Sequence, residues 1–258
     1  MSKRDLQNRT QSHYDDFPFD FLTEEDERNI DSLQPAPFYA FVEKYLKPGQ
    51  LVAEIGCGPG RGTLFMSRRA LAVLAVDISL GSLRLARRRS PQTCFVLASN
   101  LALPLSSGAF SAVVSDGVIH HTPDAYQSFC ENARILKPGG MMYLGVYRRY
   151  RYYYYLYTYL GPPIRWLEKH AWGRFLVHST LLPVYYTAHL LKSRGKRTWQ
   201  GAKHFFYDYI ITPQATFHTY EEIVGWCQQN DMQLIDYEEH VGNVHAFVLK
   251  KKIHSVGD

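Results

Sequence analysis

The chain has 258 residues, 46% hydrophobic and 21% charged, with a net charge of +5. That is long enough for one large domain or two small ones with a substantial core, and the balance is that of an ordinary globular protein. Four widely spaced cysteines (Cys57, Cys94, Cys130, Cys227) form no CxxC pair, which argues against a zinc site or a disulfide framework and fits a reducing cytoplasm.

The N-terminus, MSKRDLQNRTQSHYDDF, lacks the apolar core of a secretory signal, and residues 1–34 read as a mobile or loosely docked arm. PFYAFVEKYLKPG reads as an amphipathic helix stopped by Lys47-Pro48-Gly49. An α/β rhythm follows. LVAEI (51–55) is an apolar strand, followed by a glycine-rich turn and a helix from Gly60 to Arg69. LAVLAVD (71–77) and SLGSLRLARRR form the next strand and helix, and TCFVLAS a third strand. FSAVVSD is a fourth strand, PDAYQSFCENARIL its helix, and MMYLGVY (141–147) a fifth strand. After some seventy residues the rhythm resumes with TYEEIVGWCQQN as a helix, then the strands MQLIDYEEH and VHAFVLKKK, the last expected to be antiparallel. Short apolar strands alternating with helices predict a mostly parallel sheet covered on both faces. The expected organisation is an arm (1–34) and one α/β domain (35–258), with 148–218 as a helical insertion after strand 5.

The strongest chemical signal is the run from Val52 to Gly62, with glycines at 56, 58, 60 and 62 between a strand and a helix. Such glycines let a ligand approach the backbone, and the helix start beyond offers N–H groups to an anionic group. The dinucleotide fingerprint fails here, because Arg61 or Thr63 stands where its third glycine belongs.

Glu54-Ile-Gly-Cys-Gly-Pro-Gly60 resembles motif I of class I S-adenosylmethionine (SAM)-dependent methyltransferases. Later landmarks agree: Asp77 ends the second strand, LALPLSSGAFSAVVSDGVIHHTPD resembles the block around the fourth, and ARILKPGGMMYL the segment before the fifth. By pattern the nearest members are small-molecule methyltransferases of the ubiquinone/menaquinone-biosynthesis type. The resemblance implies a Rossmann-like, seven-stranded sheet ordered 3-2-1-4-5-7-6, with S-adenosyl-L-methionine bound at the carboxyl ends of the strands. It implies that Glu54, Gly56, Cys57, Gly58 and Gly60 line the methionine end, and that Asp77 and Ile78 hold the ribose and one adenine edge. It also implies that Asp116, Gly117 and Val118 lie beneath the sulfonium. The family's adenine-binding aspartate is replaced here by Ser99, followed by Asn100 and Leu101, so a charge-assisted bond is missing.

For chemistry, His121 is the leading base candidate, with His120 beside it, since an imidazole suits proton abstraction from a hydroxyl. One of the pair is expected to pack while the other faces the cofactor. Tyr207, Asp208 and His218 form a second cluster, although Thr219-Tyr-Glu-Glu222 also reads as a capping box. Tyr14 in the arm is a further candidate, by analogy with arms that fold over the cofactor. No metal site is expected.

The insertion is basic: from Arg148 to Lys203 there are eleven Lys and Arg against one acidic residue, Glu168. Tyr, Leu, Trp and Arg recur at helical spacing, which predicts two or three amphipathic helices. They can form a lid over a hydrophobic acceptor, a membrane-surface element through 148–200, or a nucleic-acid surface. The run 175–191 holds no charged residue, but it falls short of spanning length and contains Pro183, His178 and His189. No added RNA-binding module is visible. The sequence therefore reads as a cytoplasmic methyltransferase of a small hydrophobic or aromatic acceptor, modifying oxygen or carbon, with contact to the inner face of a membrane left open. RNA or protein methylation and a non-catalytic SAM-binding protein are the alternatives.

Overall fold

The strands are short runs of β-branched and small apolar residues whose alternate side chains enter two separate cores. In β1 (Leu51–Ile55), Val52 joins one core while Ala53 and Ile55 join the other. This computed structural model describes residues 2–18, 20, 22–192, 198–239 and 243–253. Before the sheet come α1 (Lys3–Asp16), α2 (Glu24–Arg28) and α3 (Ala36–Tyr45). The central run is α4 (Arg61–Ser67), β2 (Ala72–Asp77), α5 (Leu80–Arg89), β3 (Cys94–Leu97), β4 (Phe110–Asp116), α6 (Ala125–Ile135) and β5 (Leu136–Tyr147). The insertion holds α7 (Tyr152–Tyr155), α8 (Gly161–Glu168), α9 (Ala171–Leu176), α10 (Leu182–Lys192) and α11 (Trp199–Phe206). The chain returns through α12 (Tyr220–Gln229), β6 (Met232–Glu239) and β7 (Val244–Lys251).

The sheet order is β3-β2-β1-β4-β5-β7-β6, as the resemblance implies, with β7 antiparallel to both neighbours and the other pairings parallel. One face is covered by side chains such as Phe38, Phe41, Phe65 and Leu83, and the other by Phe129, Ile135, Ile223 and Cys227. The order reverses between β1 and β4, so the turns after these two strands diverge and leave a crevice at their carboxyl ends.

Two sequence expectations are sharpened. The arm is not loosely docked. A capping box of Ser2 and Asp5 starts α1, and at its end Asp15 accepts from Ser79 Oγ at 2.8 Å and Gly81 N at 3.1 Å, at the start of α5. A carboxylate is favoured there because the first N–H groups of a helix lack partners. Arg89, at the other end of α5, binds Asp20 at 2.9 Å and Glu27 at 2.6 Å. In the insertion the chain forms three continuous helical runs, 152–168, 171–192 and 199–211, within the expected two or three, and each contains a wide π-turn, at Leu156–Leu160, Val177–Leu181 and Tyr207–Ile211. Pro162 and Pro163 follow the first π-turn and Pro183 the second, so the widened turns carry the helix past residues that lack an N–H. Part of the basic run, residues 193–197, lies outside the described residues.

Candidate active site

The crevice is a cavity of about 630 Å³ whose lining comes from the ends of β1, β2 and β4, the loop after β3, the arm and the insertion. Glycine is required at Gly60, where φ is +89° and a Cβ would lie 2.9 Å from the Ala86 Cα of the packed helix α5. Gly58 and Gly117 also line the cavity, and open space surrounds the place where a Cβ would stand on each. They leave room for a ligand to lie against the backbone.

Asp77 ends β2, where one carboxylate oxygen accepts from Gly58 N at 2.8 Å and the other from Ser79 N at 2.8 Å. It thereby ties the glycine turn to the start of α5 while lining the cavity. Burial raises its pKa. Across the crevice, Arg61 pairs with Asp116 at 3.3 Å, linking the first turn of α4 to the end of β4. Glu54, Gly56, Cys57, Ile78 and Val118 also line the cavity.

The loop after β3 separates two candidates. Ser99 Oγ accepts from Leu101 N at 3.1 Å, so that hydroxyl is engaged in folding the turn. Asn100 is buried and lines the cavity, yet neither its amide nitrogen nor its amide oxygen has a hydrogen-bond partner among the described residues. A buried unpaired amide is costly. A donor and acceptor side by side match an adenine edge, so these residues fit an adenosine-bearing cofactor despite the missing aspartate.

Burial pushes the carboxyl of Glu54 up to about 8, with the Thr63 hydroxyl and Arg61 opposing. Its ordinary value is 4.5, so between these values the folded chain holds a proton that the unfolded chain has lost. Stability from this residue is therefore present at low pH and falls as pH rises through the window. His13, His218 and His245, held at about 4 by burial, act in the opposite direction around their ordinary 6.5, and they do so equally in wild type and in Glu54→Gln. The difference between the two proteins from pH 6.5 to 8 thus isolates Glu54. Over that interval cofactor-free wild type should lose up to about 2 kcal/mol relative to Glu54→Gln, measured by thermal unfolding; parallel curves for the two proteins would remove the assignment.

The chemistry-bearing wall faces the arm and insertion. Asp208, from the turn after α11, accepts from Tyr14 OH at 3.0 Å through one oxygen and from Tyr147 OH at 3.1 Å through the other. His121 Nε2 stands 3.9 Å from Asp208, while its Nδ1 lies 2.8 Å from the Gln214 carbonyl oxygen. A carbonyl only accepts, so Nδ1 carries a hydrogen and Nε2, on the carboxylate side, is left as the ring position that can take a proton. Burial, and then Asp208, raise the pKa values of Tyr14 and Tyr147, so both stay neutral donors. All four side chains line the cavity.

The other predicted residues lie elsewhere. His120 is fully buried, its ring stacked on Tyr147 at 3.6 Å and its Nδ1 accepting from Tyr147 N. Burial holds it well below the ordinary histidine value, so it is a neutral packing residue behind the wall. Tyr207 hydrogen-bonds His178 Nε2 at 2.8 Å and stacks on Phe17, away from the cavity lining. His218 contacts Thr216 Oγ1 at 2.9 Å and packs on Trp226, next to the capping box of Thr219 and Glu222. Sequence reasoning missed Tyr147, whose signal was its place at the end of β5, and Arg61, noticed only as a break in a glycine pattern. Gln214 acts through its backbone and offered no signal.

Residues 53–144 match the family model described as "Methyltransferase domain". Demethylmenaquinone methyltransferase of Renibacterium salmoninarum is 32% identical over 95 residues, 37% of this chain and 40% of that protein. A probable tRNA methyltransferase 9B of Mus musculus is 36% identical over 104 residues, 39% of this chain and 22% of that protein. The chain thus spans less than half the length of these curated relatives. Among solved structures, 1,6-didemethyltoxoflavin-N1-methyltransferase of Burkholderia thailandensis, with bound 1,6-didemethyltoxoflavin and S-adenosylhomocysteine, superposes with a TM-score of 0.60. The two are 14% identical, and the match covers 98% of this chain and 92% of that one. Taken with the strand order and the crevice at its reversal, the match across 53–144 identifies a methyltransferase domain within a Rossmann-like class I methyltransferase fold, with S-adenosyl-L-methionine as its cofactor.

Proposed function

We propose that the chain methylates a small hydrophobic or aromatic acceptor at oxygen or carbon. The observation that carries this reading is the set of Tyr14, His121, Tyr147 and Asp208 on one wall of the cavity, with Phe205 and Tyr209 beside them. S-adenosyl-L-methionine supplies an electrophilic methyl group when bound. The protein's task is then to align the acceptor, exclude water and remove a proton. His121 takes the acceptor proton at Nε2, the Gln214 carbonyl holds the tautomer, and Asp208 faces the imidazolium that forms. The two tyrosines occupy the carboxylate's oxygens and keep it in place. Rings of Tyr147, Tyr209 and Phe205 offer an apolar surface to the acceptor.

Incubation with methyl-labelled cofactor and a cell lysate separated into lipid, small polar, RNA and protein fractions tests the reading. Label should enter the lipid or small-molecule fraction; label in RNA or protein alone would overturn it, and no label anywhere, with cofactor bound, would favour a binding protein. Once the acceptor is known, His121→Ala should lower kcat by roughly 100-fold to 1,000-fold with cofactor affinity within twofold of wild type. Full turnover by this variant would show that alignment suffices.

A further inference from the structure

The insertion buries one side of its helices and leaves the other apolar as well. Inward, Val177, Leu182, Phe206, Tyr207 and Ile210 form a core of their own. Outward, Trp166 and Trp172 lie 5.9 Å apart with His170 against both rings. Trp172 is 59% exposed, Phe175 75%, Val184 69% and Leu191 75%. A helix facing water alone would be polar on that side.

The charges on this surface have one sign. Glu168, the only acidic residue between 149 and 206, is buried against His178 and Tyr207. Lys169 and Arg174 stand exposed on this surface, Arg174 at 3.9 Å from the Glu168 carboxylate. Among the described residues no helix is long and apolar enough to cross a membrane.

We propose that the outer face of α8, α9 and α10 docks on the surface of an anionic phospholipid bilayer, with Trp166, Trp172 and Phe175 in the headgroup region and the cations on lipid phosphates. Tryptophan beside lysine and arginine, with exposed aliphatic side chains further along the same helical run, suits the boundary between headgroups and acyl chains. A second copy of the chain would bring two basic faces together. RNA would satisfy the cations and the rings but give Val184 and Leu191 no hydrocarbon to enter. The inference stands apart from the proposed reaction, since partitioning needs no methyl transfer.

The test is flotation of the full chain with vesicles of phosphatidylcholine alone and of phosphatidylcholine mixed with phosphatidylglycerol. The protein should float with the anionic vesicles at low salt and several-fold less at high salt. Acyl chains brominated near the headgroup should quench its tryptophan fluorescence. A Trp172→Ser, Phe175→Ser double variant should partition at least about tenfold more weakly while binding cofactor as wild type does. Protein that stays down with both vesicles at low salt overturns the proposal, as does partitioning untouched by the double substitution in folded protein. Two competing results overturn it too: tRNA displacing the vesicles through the same aromatic residues, or a dimer that the same substitutions dissolve. Should the double variant fail to fold, quenching of the wild type still decides, because unquenched tryptophan excludes insertion.

Discussion

Asp208→Asn should lower kcat by two to three orders of magnitude while leaving cofactor affinity nearly unchanged. The substitution keeps the shape of the side chain and the reach of its oxygen. Tyr14 and Tyr147 donate to its two oxygens at 3.0 and 3.1 Å, and one of the hydroxyls can turn to accept from the new amide. Folding therefore changes little. What disappears is the negative charge 3.9 Å from His121 Nε2, in a site where both side chains are largely buried. An ion pair at that distance is worth on the order of 4 kcal/mol at an effective dielectric of about 20, and it forms only when the ring has taken a proton. The loss therefore falls on the transition state and not on binding, which places it in kcat. Tyr14→Phe removes one donor from the arm and keeps the charge, so its effect should be much smaller. Steady-state kinetics beside calorimetric titration of the cofactor separates the cases. An Asp208→Asn enzyme within threefold of wild type in kcat would show that the carboxylate serves only to hold the arm.

The parts of this molecule legible in sequence are those whose physical cause is local. Val52-Ala-Glu-Ile55 is strand because its neighbours on both faces are apolar, and Gly60 is glycine because its φ and the nearness of Ala86 exclude a side chain. The wall opposite them has no local cause. Tyr14, His121, Tyr147 and Asp208 come from four separate elements, and hydrogen bonds between residues 194 and 61 positions apart bring them together. His120 and His121 illustrate the limit well. Both are buried, adjacent and chemically alike, yet one turns behind Tyr147 and the other into the cavity. The helix start at Thr219 was legible, whereas the inward turn of Tyr207 was not. That orientation depends on Glu168 and His178, which only the packing of the insertion places beside it.

Asp77→Ala should cost the free protein stability and weaken SAM binding by at least about a hundredfold, roughly 3 kcal/mol. A carboxylate offers about four acceptor sites on its two oxygens. Gly58 N and Ser79 N, each at 2.8 Å, take one site on each oxygen. The remaining site on each suits the two hydroxyls of a ribose, so one side chain both shapes the glycine turn and receives the sugar. Alanine removes all of this and leaves two N–H groups without their partner in a buried place. Asparagine separates the two roles. Its oxygen replaces one acceptor, but its amide nitrogen meets an N–H where an acceptor stood, so one turn bond and one ribose bond are lost together. The affinity of Asp77→Asn should accordingly fall between those of the wild type and the alanine variant. Calorimetric titration, at a temperature where circular dichroism shows each variant folded, provides the measurement. Native affinity in Asp77→Ala would mean that the crevice holds the cofactor without this carboxylate, and that Asp77 serves the turn alone.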